Sequence, residues 1–504
     1  MNSETLPIFS PKDYQPDYIT YCRETIIKAR RLRAEYRQIL SQRLEHKYGH
    51  PLLSETFLSL SDIQEIAFLL SSSRGGSSVT MDLLRQQART ASNEQRRVLS
   101  IPGEERPHLV LAGLYSPFIE TLADELDGKH VWQQDPFNKT QFRADTLKSE
   151  IMSEIGYPIK ETNDLITFAI RIYGRLLLQW PNINFGEAQE AIEKILSVVR
   201  GISIMSSQGL VYADNQETRK KMMLGIQQLF PEINLLFYDG FYEDEEILQR
   251  SSEDYNPLQY TLEETPFIIP SPWHYASNNE LDNGILLLKD PSNAWRIDFL
   301  KELFRKSTIH WLHLTRDPRE SINGLCDGWK FRGGYLTTMS PKPVSITGYT
   351  DHLLQSQYVN YSTPHILWVA LSQGNEIALE HLAALQWAEA HRAIMEGVSG
   401  DPKYYKIAND EYPIGFDWMR DDTEGAVRAI CEHLGIPATL SLLQAAFNMS
   451  KNVIQATPGT DPRIRDRWKQ AENHELVERY AALPFVASIA ALLEIPDYLT
   501  ENDN

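Results

Sequence analysis

Arg74 lies in the segment SSSRGGSSV, between an apolar run and an amphipathic pattern. The glycines at 75 and 76 permit a tight turn in which successive backbone N–H groups point at an anion. Ser77 and Ser78 add hydroxyl donors, and the Arg74 guanidinium adds positive charge. The segment therefore predicts an anion-binding loop, although the same composition also occurs in ordinary surface loops. It is not a Walker A loop, because the pattern GxxxxGK[ST] is absent.

Two further cations directly follow apolar runs that are typical of buried strands. Lys289 ends the run in LLLKDP, and Arg316 follows the run that ends in LTRDP. In both segments the Asp-Pro pair suits a helix start, with Asp as the N-cap and Pro as the first helical residue. Glu320 adds the pattern of a capping box after Arg316. Taken alone, Lys289 is equally consistent with an ordinary solvent-facing lysine, and His310 and His313 are expected to be structural.

The elements around these cations follow a repeated order of strand and helix. Strand patterns cover 66–70, 284–288 and 308–314, and each is followed by a helical pattern. This order predicts an α/β fold with a parallel sheet, in which ligands bind beyond the carboxyl ends of the strands. All three cations would meet there around a polyanion. We expect Arg74 to hold one phosphate, Arg316 a second, and Lys289 to lie between them.

The remaining regions are predicted from composition and periodicity. Residues 1–58 are expected to form a helical N-terminal arm, and 59–504 a single α/β domain. Within that domain, a largely helical insertion is expected at about 145–260. No chemical motif is visible in the arm or in the insertion.

Charge and cysteine content exclude several classes of function. The 504 residues include 49 Lys and Arg against 68 Asp and Glu, a net charge of −19, which argues against binding to nucleic acid. The three cysteines are widely separated, so neither a disulfide framework nor a CxxC metal site is expected. The N-terminus lacks a signal-peptide pattern, and no apolar run reaches the roughly 18 residues of a membrane span. We therefore expect a cytoplasmic protein without a membrane span.

The three motifs together resemble the sulfotransferase family that uses 3′-phosphoadenosine 5′-phosphosulfate (PAPS). SSSRGGSSV is similar to the family's 5′-phosphosulfate loop, and LTRDPRESINGL to its 3′-phosphate motif. LLLKDPSNAWRIDFLKELF resembles the KDP segment of tyrosylprotein and related sulfotransferases. The resemblance implies a P-loop-type parallel sheet flanked by helices. It also implies transfer of a sulfuryl group to a hydroxyl or amine of a small molecule, with 3′-phosphoadenosine 5′-phosphate as product and without a metal.

The same resemblance assigns residues to the nucleotide. The 5′-phosphosulfate would be held by the loop residues Ser73, Arg74, Gly75, Gly76, Ser77 and Ser78, and the 3′-phosphate by Arg316. The family usually has a serine eight residues after that arginine, where this chain has Gly324; Ser321 or Asn323 is expected to substitute. The family's basic C-terminal loop is similar in composition to 458–469, which makes Arg463, Arg465 and Lys469 candidates.

The reaction itself needs a stabilised leaving oxygen and a base. Lys289 and Arg74 are the candidates for the leaving oxygen. The segment IPGEERPH resembles the part of tyrosylprotein sulfotransferases that carries the glutamate base, which makes Glu105 the first candidate and Glu104 the second. His108 competes, because many cytosolic members use histidine, and a solvated surface turn is the alternative.

Two other functions stay open at the level of sequence. One is a non-catalytic nucleotide-binding protein of the same fold, which Gly324 favours. The other is a P-loop kinase, which would require a loop lysine and acidic residues for Mg²⁺. The acceptor is not encoded in any motif.

Overall fold

The computed structural model describes a large part of the 504-residue chain. The described residues are 63–92, 94–100, 155–159, 161–162, 164–179, 183–207, 209–233, 269, 273–289, 293–294, 297, 300–301, 304–330, 346–347, 377–451 and 464–499. The expected N-terminal arm lies outside them, as does the helix start expected at 290–292.

Short strands are distributed along the whole described chain. They are β1 Glu65–Leu70, β2 Val98–Leu99, β3 Gly156–Pro158, β4 Glu161–Thr162, β5 Ile204–Ser206, β6 Gly209–Ala213, β7 Trp273–Tyr275, β8 Ile285–Lys289, β9 Thr308–His313, β10 Ile346–Thr347, β11 Ile377–Ala378 and β12 Tyr404–Lys406. Five of them form one parallel sheet in the order β12-β9-β1-β8-β2. This sheet confirms the predicted fold class.

Helices cover the sheet and build the rest of the fold. The α-helices are α1 Ser77–Thr90, α2 Leu165–Gln179, α3 Ala188–Ile202, α4 Gln216–Leu229, α5 Asn278–Asn283, α6 Pro318–Lys330, α7 Leu379–Gly397, α8 Gly415–Asp421, α9 Thr423–Leu434, α10 Leu440–Lys451, α11 His474–Ala481 and α12 Pro484–Leu492. Two 3-10 turns cover Arg467–Gln470 and Pro496–Tyr498. Among the described residues, no helix is both long and apolar enough to cross a membrane.

The central strands are apolar along their whole length because both faces of the sheet are covered. β1 and β8 read EIAFLL and ILLLK, and nearly every one of their residues is buried. On one face, residues of α1, α9 and α10 join the strands in a single apolar core. On the other face Phe68 stacks on Trp311, with the ring centroids 5.2 Å apart.

The register of the sheet brings the carboxyl ends of its strands to one level. Leu69 of β1 is paired with Lys289 on one side and with Leu312 on the other. Leu70 is paired with His313. The carboxyl ends of β1, β8 and β9 therefore lie at the same edge of the sheet, where the three motifs were expected to meet.

The region expected as a helical insertion is more varied than its periodicity indicated. Helices α2, α3 and α4 pack on one another around their own apolar core, which includes Phe168 and Tyr212. The same region also contains an antiparallel sheet in the order β4-β6-β5. Its strands are two to five residues long, too short for a clear alternating pattern to appear in the sequence.

A chain of buried polar rings lies at the end of β9. The Nδ1 atom of His313 is 2.9 Å from the Tyr404 hydroxyl, and its Nε2 atom is 2.8 Å from Nδ1 of His391. Both histidines are completely buried. Burial lowers the pKa of His391 to about 3, and burial also lowers the pKa of His313 well below its usual value. Both imidazoles are neutral in the native protein at neutral pH.

These histidines should make the protein less stable as the pH falls below about 6.5. The unfolded chain takes up protons there and the native state does not, so each histidine removes up to about 1.4 kcal/mol per pH unit. His391→Asn keeps a polar atom near the Nδ1 position and removes one titrating group. We expect its free energy of unfolding to fall less between pH 7.5 and pH 5 in denaturant titrations. The control is His474→Asn at an exposed position, and identical pH profiles for His391→Asn and the unsubstituted protein would refute the expectation.

Candidate active site

The turn between β1 and α1 depends on two residues with left-handed backbone. Arg74 has φ 63° and Gly76 has φ 91°. The Gly75 N–H donates to the carbonyl of Ser72 at 3.1 Å, which closes the turn. A Cβ atom on Gly76 would lie 2.2 Å from the Phe416 ring, so only glycine fits there. Because α1 begins at Ser77, directly after this turn, its N-terminus lies where an anion-binding loop would place it.

Arg316 is interlocked with this turn. Its Nη1 donates to the carbonyl of Arg74 at 2.9 Å. In return, Nε of Arg74 donates to the carbonyl of Gly324 on α6 at 3.1 Å. The two guanidinium groups expected to bind two phosphates therefore lie side by side, on the turns that follow the neighbouring strands β1 and β9.

The surroundings of Arg316 hold its side chain in one position. Its Nε donates to Oε2 of Glu320 at 3.1 Å, and its Nη2 forms an ion pair with the same oxygen at 3.0 Å. Its guanidinium carbon lies 4.4 Å from the centre of the Phe416 ring. Burial lowers the pKa of Arg316, and the charge of Glu320 opposes this change. A desolvated guanidinium of this kind interacts strongly with an incoming anion.

The helix start after Arg316 differs in one respect from its prediction. Asp317 accepts from the N–H of Arg319 at 2.8 Å, as a residue that caps the helix would. Glu320, however, does not complete a capping box, because its carboxylate turns to Arg316. The spacing of four residues between Arg316 and Glu320 suits an ion pair on one helical turn.

Lys289 lies on the other side of the loop from Arg316. Its Nζ is 3.0 Å from the Ser78 hydroxyl in the first turn of α1, and the residue is only 4% exposed. Since β1 is flanked by β9 and β8, the loop of Arg74 separates Arg316 from Lys289. The expected role of Lys289, at a site between the two phosphates, stays a prediction.

The substitute for the missing serine can be judged from α6. A Cβ atom on Gly324 would lie 3.5 Å from Cβ of Arg74 and 3.9 Å from Nη1 of Arg316, so position 324 itself faces both arginines. Asn323 is buried next to it. Ser321 is completely buried, and its hydroxyl has no hydrogen-bond partner among the described residues. Ser321 and Asn323 therefore both stay candidates for the role of the missing serine.

The basic C-terminal residues are paired with acidic neighbours. Arg465 forms an ion pair with Asp421, and Nζ of Lys469 lies 2.9 Å from Asp466. The backbone N–H of Asp466, by contrast, donates to Oε1 of Glu320 at 3.3 Å. This segment therefore reaches the site through a main-chain group. Arg463 lies outside the described residues.

The candidate bases cannot be placed on the sheet. Glu104, Glu105 and His108 lie outside the described residues and stay predictions. The last described residue before them is Ser100, whose backbone N–H and carbonyl bind Gly156 at 2.6 and 2.9 Å.

Sequence reasoning missed two neighbours of Arg316. Phe416 packs on its guanidinium, and Arg420 lies 3.5 Å from Oε1 of Glu320. Both belong to α8, about a hundred residues further along the chain. Nothing in the local sequence predicts that Phe416 and Arg420 lie beside Arg316. The ion pair of Arg316 with Glu320, by contrast, could have been predicted from their spacing of four residues.

No protein-family model matches the chain, and no curated protein matches it. Among solved structures, it is similar to sulfotransferase STF9 from Mycobacterium avium, with 13% identity, a TM-score of 0.34, and coverage of 97% of this chain and 87% of that one. It is also similar to the sulfotransferase domain from the curacin biosynthetic pathway, with 14% identity, a TM-score of 0.31, and coverage of 86% and 98%. The sulfotransferase domain of the Synechococcus PCC 7002 olefin synthase gives 12% identity, a TM-score of 0.29, and coverage of 88% and 98%. The function therefore has to be argued from the residues of the site.

The left-handed backbone conformation of Arg74 should affect the free energy of unfolding of variants at this position. Arg74→Gly and Arg74→Ala both remove the hydrogen bond to the Gly324 carbonyl, but only alanine keeps the cost of positive φ. We expect the glycine variant to be more stable by about 1 kcal/mol. Denaturant titration of the two variants measures this difference directly. Equal stabilities, or a more stable alanine variant, would show that the backbone at Arg74 is not strained.

Two glycines of the site should respond in opposite ways to alanine. Gly76→Ala places a methyl group inside the Phe416 ring at positive φ, so we expect a loss of about 2–4 kcal/mol. Gly324→Ala makes only ordinary contacts inside α6, so we expect a gain of up to about 1 kcal/mol from helix propensity. Thermal or denaturant unfolding tests both, and similar effects at the two positions would contradict the packing described above.

Proposed function

We propose that the protein is a sulfotransferase that moves the sulfuryl group of PAPS to a hydroxyl or amine of a small-molecule acceptor. The observation that carries this proposal is the interlock of Arg74 with Arg316 at the carboxyl edge of the parallel sheet. Two cationic sites on adjacent turns suit a ligand with two separate phosphate groups. PAPS has this character, with a 5′-phosphosulfate for the Arg74 loop and a 3′-phosphate for Arg316.

The negative net charge of the chain supports a specific role for this local group of cations. A protein with a net charge of −19 repels polyanions in general, so an anion site has to be built from specific groups. The loop N–H groups, Arg74, Arg316 and Lys289 supply such groups at one edge of the sheet. Lys289 and Arg316 are largely buried, which strengthens their interaction with a bound anion.

The reaction follows from this placement. The acceptor oxygen or nitrogen forms a bond to sulfur while the bond between sulfur and the bridging phosphate oxygen breaks. Negative charge then grows on that oxygen, and Lys289 and Arg74 stabilise it. The proton of the acceptor passes to a base, for which Glu105 is the first candidate, with Glu104 and His108 as alternatives. The released product is 3′-phosphoadenosine 5′-phosphate.

Binding and transfer test the proposal separately. Isothermal calorimetry with 3′-phosphoadenosine 5′-phosphate should give a one-site isotherm, and incubation with ³⁵S-labelled PAPS and a panel of phenols, alcohols and amines should label at least one acceptor. The absence of nucleotide binding would refute the proposal. Binding without transfer to any acceptor would favour a non-catalytic nucleotide-binding protein, and phosphate transfer from Mg²⁺–ATP would favour a kinase.

Lys289 should contribute more to transfer than to binding. Lys289→Met keeps most of the side-chain volume at this buried position and removes the charge. We expect the transfer rate to fall about 100-fold or more, because a donor to the leaving oxygen is lost. Affinity for the bisphosphate product, measured by calorimetry, should fall less than about tenfold.

The control for this variant is Lys221→Met, which removes an exposed lysine paired with Glu217 on α4. It should leave both the transfer rate and the affinity unchanged. A Lys289→Met protein with full transfer activity would remove Lys289 from the mechanism.

A further inference from the structure

Glu320 accepts hydrogen bonds from three different parts of the fold. Its Oε2 accepts one from Nε of Arg316 at 3.1 Å and forms an ion pair with Nη2 of the same residue at 3.0 Å. Its Oε1 accepts one from Arg420 at 3.5 Å and one from the backbone N–H of Asp466 at 3.3 Å. The residue is 9% exposed, so these bonds form largely out of water. A single carboxylate thus joins α6, α8 and the C-terminal segment next to the nucleotide site.

These contacts determine which part of the Arg316 guanidinium is available to a ligand. A guanidinium has five N–H groups. Nε donates to Glu320, Nη2 forms an ion pair with the same carboxylate, and one N–H of Nη1 donates to the Arg74 carbonyl. Among the described residues, these hydrogen bonds leave at least one N–H on each terminal nitrogen. Two neighbouring N–H groups of this kind can bind a phosphate through two oxygens.

The opposite face of the arrangement is closed by packing. Phe416 lies 4.4 Å below the Arg316 guanidinium, and Arg420 lies 5.8 Å from the centre of the same ring. Arg316 therefore cannot move toward α8 without displacing the ring. The carboxylate of Glu320 fixes the remaining freedom, which is rotation of the guanidinium about its long side chain.

We propose that Glu320 is a positioning residue that aims the two remaining N–H groups of Arg316 at the 3′-phosphate, and so makes the 3′-phosphate the group by which the protein selects its nucleotide. This inference rests on the proposed function. The Asp466 N–H extends the arrangement to the C-terminal segment, which is held on the same carboxylate. Without Glu320, the guanidinium has to be ordered by the ligand itself, which lowers affinity.

The experiment compares two nucleotides that differ only in the 3′-phosphate. Calorimetry gives the Kd of adenosine 5′-monophosphate and that of 3′-phosphoadenosine 5′-phosphate. The first Kd divided by the second is the ratio that measures selection for the 3′-phosphate. We expect Glu320→Ala to lower this ratio about tenfold or more, with little change in the Kd of the monophosphate. Glu320→Gln has nearly the same shape and keeps one acceptor oxygen. Its ratio should therefore lie between that of the unsubstituted protein and that of Glu320→Ala.

Glu389 on α7 provides a matched control. It is 7% exposed and accepts from Nε and Nη2 of Arg392 at 2.9 and 2.7 Å, much as Glu320 does from Arg316. Glu389→Ala should lose a comparable amount of stability, measured as the unfolding midpoint, and leave the ratio unchanged. This control separates positioning from a general loss of structure, and Glu320→Gln serves if the alanine variant does not fold.

Each outcome decides the question. A lowered ratio in Glu320→Ala with partial recovery in Glu320→Gln supports the inference. An unchanged ratio, an equal loss for both nucleotides, or a raised ratio overturns it; the last would mean that Glu320 competes with the phosphate. If the unsubstituted protein binds neither nucleotide, the proposed function fails as well. If the unsubstituted protein prefers the bisphosphate and the Glu320 variants keep the same preference, the proposed function stands and this inference alone is refuted.

Discussion

The hydrogen bond from Nη1 of Arg316 to the Arg74 carbonyl fixes how two βα units meet at the sheet edge. The pairing of Leu70 with His313 brings the two units to the same level, and the arginine then joins them above the strands. Two guanidinium groups so close would repel each other if nothing compensated for their charge. The Arg74 carbonyl accepts a hydrogen bond from Arg316, and Glu320 neutralises part of the charge, so the protein's own groups hold the two arginines together.

Holding Arg74 and Arg316 together has a free-energy cost that the surrounding structure offsets. Arg74 adopts positive φ, and Arg316 is taken out of water. The α6 carbonyl of Gly324 and the ring of Phe416 hold the strained turn and the desolvated cation in place. A bound phosphate would meet donors that have already lost their freedom, which is the condition for strong anion binding in a protein whose overall charge is opposed to it.

The elements and the chemistry-bearing positions of the site could be predicted locally, whereas its neighbours could not. Apolar runs gave β1, β8 and β9, and the residues after them placed Arg74, Lys289 and Arg316 at one edge. Which strand lies next to which is a property of the whole sheet, so local sequence could not predict that Lys289 and Arg316 lie on opposite sides of the Arg74 loop. Phe416 approaches Arg316 from about a hundred residues away, and no spacing rule connects such positions. The short strands β4, β5 and β6 were missed because they lack a readable alternation.

The strand order also divides the site into two unlike sides. On the β9 side, Arg316 is bound by Glu320 and packed against Phe416. On the β8 side, Lys289 contacts the first turn of α1 through Ser78. The insertion joins the sheet on this second side, because Ser100, directly after β2, is bridged to Gly156, and β3 is paired with β7, which leads into β8. In-line transfer requires the acceptor to approach the sulfur opposite the leaving oxygen. If the proposed transfer takes place, we therefore expect the insertion, which joins the sheet on the Lys289 side, to help shape the approach of the acceptor.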